Sequence, residues 1–315
     1  MSSLTGLRRA DGQRVSWFLG SLLGGSTLTL NFAAKHPTPL VNAVLDRVFP
    51  LYSVGQNPKD VRSRELDAGG VPARLYEPPD PTGLVVYIHG GGFALGSLKT
   101  HRVMEAFAAK AANCRVLAIA YRKGPADPFP AAYDDCVAAL RWTLANAESL
   151  GVDADRIAIG GDSAGGQLAA AACLALSDDE PKPRCAWLFC PLTDGVATRY
   201  ASARLFEKGP LLTAQNVKDM VGHYATGADL EDPRLNLMGR DDLGRMPPTY
   251  VATAGMDPIR DQGEQFANKL RLAGVDVTSE RFPNLPHDFG LALIDPGCRA
   301  AWTECCDALR RALTA

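Results

Sequence analysis

A single serine, Ser163, stands between two glycines in the stretch AIGGDSAGGQLAAA, residues 158–171. The stretch passes from an apolar run into an alanine-rich one, which predicts a strand followed by a helix. Gly161 and Gly165 lie two residues before and two residues after the serine, in the pattern G-x-S-x-G. Glycines at these positions allow a sharp strand-to-helix turn that exposes the serine hydroxyl. The sequence therefore predicts that Ser163 is a nucleophile held on such a turn.

A serine hydroxyl is a poor nucleophile and needs a base that accepts its proton. The chain has five histidines: His36, His89, His101, His223 and His287. In folds with this turn the triad order is serine, acid, histidine, which leaves His223 and His287. Helical packing explains His223 in VKDMVGHYA, whereas His287 lies in the loop-like stretch FPNLPHDFG. We expect His287 to be the base, with activity falling below its pKa, which is about 6.5 when unperturbed.

The stretch PTYVATAGMDPIRD, residues 248–261, holds two candidates for the carboxylate that orients the histidine. Asp257 comes two residues after the glycine of a predicted strand and directly before Pro258. Asp261 falls on the following predicted helix, where an acidic residue in the first turn interacts favourably with the helix dipole. We therefore expect Asp257 to fix the imidazole tautomer and to stabilise the imidazolium that forms.

A run of glycines follows another predicted strand in VVYIHGGGFALGS, residues 85–97. Glycine has no Cβ, so the backbone amides of such a loop can turn toward a neighbouring site. The amides of Gly91 and Gly92, with that of Ala164, are expected to bind the oxygen of a tetrahedral intermediate. His89 precedes the serine in the chain, and we expect it to anchor this loop instead of acting as the base.

Short β-branched or apolar runs predict eight strands: RSRELDA, ARLYE, LVVYIH, CRVLAIA, RIAIGG, CAWLFC, PTYVATA and DVTSERF. The middle runs are apolar throughout, as in strands that are buried on both faces. Helical patterns alternate with them at 131–148, 164–177, 260–273 and 298–313. The alternation predicts an α/β fold with a mostly parallel sheet and helices on both faces. The first two strands are expected to form an antiparallel hairpin at the sheet edge.

Two stretches break the alternation, residues 1–55 and the helical stretch 195–225 between the sixth and seventh strands. Excursions of this kind are usually functional, and we expect these two to form a lid over the strand ends. The chain thus divides into an N-terminal cap segment, 1–55, and a catalytic domain, 56–315, that carries the second cap stretch. The acyl pocket is expected to be lined by Phe93, Leu211, Leu212 and Met220.

The charge balance of the chain argues against nucleic acid as a partner. The 33 basic and 35 acidic residues give a net charge of −2, with no basic face that would bind phosphates. None of the eight cysteines forms a Cys-x-x-Cys pair, and none has the spacing of zinc ligands. We therefore expect no metal and predict buried free thiols in a reducing compartment, the cytoplasm.

The N-terminal stretch VSWFLGSLLGGSTLTLNFAA, residues 15–34, follows three arginines and so resembles the basic and apolar regions of a signal peptide. Asp11 interrupts the basic part, and glycine, serine and threonine dilute the apolar part. The stretch is also too interrupted to span a membrane. We expect a retained, partly helical segment that covers an apolar surface.

These motifs resemble those of the hormone-sensitive-lipase-like branch of the α/β-hydrolases, the group of the bacterial family IV esterases. They are HGGGF at 89–93, GDSAGG at 161–166, DPIRD at 257–261 and His287, with a further similar segment at 121–135. The resemblance covers about residues 60–315 and implies an α/β-hydrolase fold with a helical cap. One departure is Asp288, which follows His287 where the family often has glycine.

The resemblance implies a serine carboxylesterase that acts on short- to medium-chain esters through an acyl-enzyme. Its partner would be a small-molecule ester, and it would need neither metal nor organic cofactor. The same triad would serve a lactone hydrolase or an amide or carbamate hydrolase, and the sequence does not separate these substrates. Plant gibberellin receptors resemble this fold without the triad histidine, so His287 argues against a non-catalytic binding role. We expect a monomer or a homodimer.

Overall fold

The eight predicted strands are all present in the computed structural model, which describes residues 27–315. In chain order they are β1 Arg62–Asp67, β2 Pro72–Glu77, β3 Leu84–Ile88, β4 Arg115–Ile119, β5 Ile157–Asp162, β6 Ala186–Phe189, β7 Thr249–Met256 and β8 Val277–Pro286. They form one sheet in the order β1-β2-β4-β3-β5-β6-β7-β8. The last strand is longer than expected, because its pairing with β7 continues to Pro286.

The sheet is mostly parallel, as predicted. β1 and β2 form the expected antiparallel hairpin at one edge, and β2 also pairs with β4 in the antiparallel sense. All pairs from β4 through β3, β5, β6 and β7 to β8 are parallel. The carboxyl ends of these six strands therefore meet at one edge of the sheet, where ligands of open α/β sheets bind.

Apolar side chains on both faces of the central strands hold the helices in place. On β3, Leu84, Val86 and Ile88 belong to one buried cluster, whereas Val85 and Tyr87 belong to the other. Neighbouring side chains of a strand point to opposite faces, so a fully apolar strand fills two cores.

Nine α-helices lie within residues 27–315. They are α1 27–35, α2 Pro39–Val48, α3 Arg102–Ala112, α4 Ala131–Ala145, α5 Ala164–Ala175, α6 Ala201–Leu205, α7 Ala214–Tyr224, α8 Arg260–Leu272 and α9 Pro296–Thr314. The four predicted helices correspond to α4, α5, α8 and α9. Residues of α3 and α9 belong to the cluster on one face of the sheet, and residues of α4, α5 and α8 belong to the cluster on the other. Helix α3 was not among the helices predicted from the sequence.

The two excursions from the alternating pattern are each built from short helices. In the N-terminal one, residues 1–26 lie outside the described part, and α1 and α2 follow, with a 3₁₀ turn at Phe49–Ser53. The stretch 195–225 was expected to be helical, but α6 and α7 are separated by the non-helical residues 206–213. Throughout residues 27–315, no helix has the length and apolar character that crossing a membrane requires.

Candidate active site

Ser163 lies at the junction of β5 and α5 with a backbone φ of 54° and ψ of −120°. This positive φ is strained for a residue with a side chain and needs support from its surroundings. The support includes a hydrogen bond from the Ser163 amide to the Phe189 carbonyl oxygen, 2.9 Å. Cβ atoms on Gly161 or Gly165 would overlap the carbonyl oxygen of Ile88 on β3. The two glycines are thus required by close backbone packing around the turn.

The pairing of the last two strands brings Asp257 and His287 together from positions 30 residues apart. Met256, at the end of β7, pairs with Pro286, at the end of β8, across an irregularity in the register. Asp257 and His287 directly follow these two paired residues. Their side chains therefore lie next to each other at the same edge of the sheet. The longer β8 therefore determines where the histidine lies.

The three residues form a continuous chain of hydrogen-bonding contacts. Nδ1 of His287 is 2.7 Å from Oδ2 of Asp257, and Nε2 is 2.9 Å from Oγ of Ser163. The other Asp257 oxygen accepts the amide proton of Ile259 at 2.9 Å, which fixes the carboxylate. All three side chains are buried, so their mutual contacts are shielded from solvent. This arrangement can move a proton from the serine hydroxyl to the imidazole.

The glycine loop after β3 presents free backbone donors beside the serine. Gly91 has φ +116° and Gly92 φ +61°, conformations that glycine adopts without strain. Within residues 27–315, the amides of Gly91, Gly92 and Ala164 have no hydrogen-bond acceptor. Gly91, Gly92 and Ser163 line one cavity. The three amides are thus available to an oxygen atom that enters it.

Asp162, the residue before the serine, connects the glycine loop to the turn. Its carboxylate accepts the Gly90 amide at 2.9 Å and the Tyr87 hydroxyl at 2.6 Å, and lies 3.2 Å from His101 Nε2. Burial opposes a charge on His101, but Asp162 raises the pKa of His101 to about 9. Asp162 lies inside the GDSAGG motif, but nothing in the sequence around it predicts that it pairs with His101.

Apolar side chains from both excursions face the serine across the cavity, which is small, about 60 Å³. The N-terminal excursion contributes Leu30, Leu45 and Phe49, and the second contributes Leu211, Leu212 and Met220. Three of the four expected pocket residues therefore line the cavity. Phe93 does not, because its ring stacks on that of Tyr224 with centroids 4.6 Å apart. Tyr224 is the last residue of α7, and no local pattern around Phe93 indicates that the two rings meet.

The alternative acids and bases make no hydrogen bond to Ser163 within residues 27–315. Asp261, at the start of α8, accepts the amide of Ser202 on α6 at 2.8 Å. His89 stacks between the rings of Tyr121 and His101, and its Nδ1 is 2.7 Å from the Gly90 carbonyl oxygen. This geometry fits the expected loop anchor. His36 is exposed, and His223 is half-buried on α7.

One trio of metal-binding residue types in the described part of the chain is close enough to contact a single ion: Cys190, His287 and Asp288. We assign no metal site there, because both ring nitrogens of His287 already face Asp257 and Ser163. All eight cysteines are buried free thiols, as predicted.

Comparison with known proteins agrees with this architecture. A family model described as the α/β-hydrolase fold matches residues 85–291, from β3 through the turn after His287. The chain belongs to the α/β-hydrolases. It is 38% identical over 258 residues to the carboxylic ester hydrolase LipN of Mycobacterium tuberculosis, with 78% of this chain and 68% of that protein covered. It is also 38% identical to the ethyl acetate hydrolase of Pseudomonas putida, with 73% and 74% covered.

Solved structures of esterases superpose over nearly the whole chain. The hyperthermophilic esterase from the archaeon Pyrobaculum calidifontis is 28% identical and has a TM-score of 0.87, covering 96% of this chain and 99% of that one. An esterase of the bacterial hormone-sensitive lipase family is 31% identical, with a TM-score of 0.80 and coverages of 92% and 98%. This α/β-hydrolase is therefore similar to esterases in both sequence and fold.

Proposed function

We propose that this α/β-hydrolase is a serine carboxylesterase in which Ser163, His287 and Asp257 form the catalytic triad. The observation that carries the proposal is the unbroken contact chain from Ser163 Oγ through both nitrogens of His287 to the Asp257 carboxylate. Homologues named carboxylic ester hydrolase, carboxylesterase and arylesterase support ester hydrolysis as its activity.

In the first half-reaction, Ser163 Oγ attacks the ester carbonyl carbon while His287 Nε2 accepts the hydroxyl proton. The carbonyl oxygen becomes negative and accepts hydrogen bonds from the amides of Gly91, Gly92 and Ala164. As the carbon–oxygen bond to the alcohol breaks, the imidazolium delivers its proton to that oxygen, and the acyl-enzyme remains. A water molecule then gives a proton to His287 Nε2 and attacks the acyl carbon. As the bond to Ser163 Oγ breaks, His287 returns the proton to that oxygen and the carboxylic acid leaves.

The size and the apolar lining of the cavity favour substrates with short- to medium-chain acyl groups. Its wall opposite the serine is apolar and its volume is about 60 Å³, which favours small hydrocarbon chains over long ones. The name of the ethyl acetate hydrolase, a relative at 38% identity, points in the same direction. We also propose that the two excursions, with Leu211, Leu212 and Met220 in the second, act as the cap that limits chain length.

The first test is hydrolysis of p-nitrophenyl esters from acetate to laurate by the wild type and by Ser163→Ala. We expect turnover on the short and medium chains, and a loss on the order of 10⁶ in the variant, as in other serine triads. Melting temperatures should agree, because the substitution removes a single hydroxyl oxygen. Turnover that persists in a folded Ser163→Ala protein would contradict the triad. A wild type that cleaves only lactones or amides would change the substrate class and leave the triad unaffected.

The cellular location and the oligomeric state of the protein remain predictions. The eight buried free thiols support a reducing compartment, and thus the cytoplasm. Size-exclusion chromatography with light scattering would decide between the monomer and the homodimer that we expect.

A further inference from the structure

Asp288 lies against the same nitrogen of His287 that faces the serine. Its Oδ2 is 3.1 Å from Nε2, whereas Ser163 Oγ is 2.9 Å from that atom. We propose that Asp288 holds a proton on Nε2 of His287 until the pH rises, and thereby sets the pH above which the enzyme turns over. Asp288 acts here as a positioning residue for the proton. The inference rests on the function proposed above.

The contact between Asp288 and His287 requires a proton. Because Asp257 accepts the proton of Nδ1, Nε2 of a neutral imidazole carries only a lone pair. A carboxylate oxygen also carries lone pairs, so the two atoms repel each other unless a proton lies between them. That proton makes the histidine an imidazolium or the aspartate a carboxylic acid. In either form Asp288 occupies Nε2, which then cannot accept the proton of Ser163.

Burial keeps the Asp288 carboxyl in this position. Its side chain lines the cavity and is nearly inaccessible to solvent, with the residue 7% exposed. Within residues 27–315 its second oxygen, Oδ1, has no hydrogen-bond partner. A buried carboxylate without such partners is costly, so a charge on Asp288 depends on the imidazolium beside it.

Asp257 faces Nδ1 of His287. The other titratable groups near the pair are the Cys190 thiol, which follows β6, and the side chains of Asp162, His101 and Tyr87. His101 is already paired with Asp162. Burial alone would lower the pKa of His287, but the charges of Asp257 and Asp288 raise it well above its usual range. Burial also raises the pKa of Asp288. Both directions retain the shared proton to higher pH, so activity is lost as the pH falls and gained as it rises.

The test is the pH dependence of kcat/KM for p-nitrophenyl butyrate in the wild type, Asp288→Asn and Asp288→Gly. Replacing the Asp288 carboxylate should shift the acid limb of the profile to lower pH by about one unit or more in both variants. Asn preserves the shape of the side chain, and Gly suits the backbone φ of 48° at this position. A structural role alone would lower the rate at every pH and leave the limb where it is.

Asp295→Asn is the matched control, because it removes a buried carboxylate seven residues further along that caps α9 through the amide of Cys298. We expect it to lower the melting temperature and to leave the acid limb in place. An acid limb at the same pH in the wild type and in both folded Asp288 variants would overturn the inference.

If the wild type hydrolyses no ester, the proposed function fails, and an NMR titration of the His287 imidazole decides the inference by itself. A lower imidazole pKa in Asp288→Asn than in the wild type would support it, and equal values would overturn it.

Discussion

The two sides of the cavity are built on different principles. On one side, Ser163, Asp257, His287 and the glycine loop all follow directly from the carboxyl ends of paired strands. On the other side, apolar side chains come from short helices and loops in the two excursions. The first side is held by hydrogen bonds between paired strands and by their register. The second side combines apolar contacts with a few side-chain hydrogen bonds between the excursions, such as the one from Asn216 Nδ2 to Asn31 Oδ1, 2.9 Å.

The difference extends to the outer surface of the N-terminal excursion. In the described part of the chain, six of the seven exposed large apolar side chains belong to it: Leu28, Phe32, Leu40, Val44, Leu51 and Val54. Its helices have apolar residues toward the cavity and toward solvent, so burial specifies their position less strictly than that of a sheet helix. We therefore expect substitutions on the strand side to abolish chemistry and those on the excursion side to change selectivity.

After the loss expected for Ser163→Ala, the next largest effect is also on the strand side, from Asp257→Asn. An amide no longer holds the correct histidine tautomer, so kcat should fall by about 10⁴, the loss that this substitution causes in other triads. Asp261→Asn is the matched control, since Asp261 contacts Ser202 and not His287. Steady-state kinetics on p-nitrophenyl butyrate measures both. A comparable loss in both variants would contradict the assignment of Asp257.

A smaller loss is expected where the glycine loop is joined to the serine turn. Asp162→Asn weakens the hold on the Gly90 amide and leaves His101 buried without its ion pair. We expect kcat to fall by about 10² through misplaced oxyanion donors, and the protein to lose about 3 kcal/mol of stability. Tyr87→Phe removes only one hydrogen-bond donor to Asp162. It should lower both kcat and the free energy of unfolding much less. Urea unfolding and kcat together test this. An equal kcat in the wild type, Asp162→Asn and Tyr87→Phe would show that Asp162 does not position the oxyanion donors.

The smallest effect is expected on the excursion side, from Met220→Ala. The shorter side chain enlarges the cavity, so kcat/KM for hexanoate relative to acetate should rise by about tenfold. Val217→Ala is the matched control, because Val217 is buried on the same helix but does not line the cavity. It should lower the melting temperature and leave the chain-length ratio unchanged. A ratio that changes equally in both variants would mean that α7 acts through its overall position.

Local patterns sufficed to predict the strands and the four main helices, because alternating strands and helices with buried apolar runs have few other solutions. They also sufficed to nominate the three triad residues and the glycine loop, since spacing along the chain is a local property. The errors concern contacts between distant segments. Phe93 was expected in the pocket, but the ring of Tyr224, about 130 residues away, packs against it. The stretch 195–225 was expected to be helical, but residues 206–213, between α6 and α7, are not.

The sequence by itself determined the strand segments, the serine turn and the chemical types present at the strand ends, because each depends on residues close together in the chain. Only the tertiary structure decided which side chains meet. The irregular pairing of β7 with β8 brings His287 beside Asp257, and the turn after β8 places Asp288 on the same imidazole. The buried pair of Asp162 and His101 likewise exists only in the folded chain. Distances between side chains and the exclusion of water depend on packing across the whole sheet, and no local pattern encodes them.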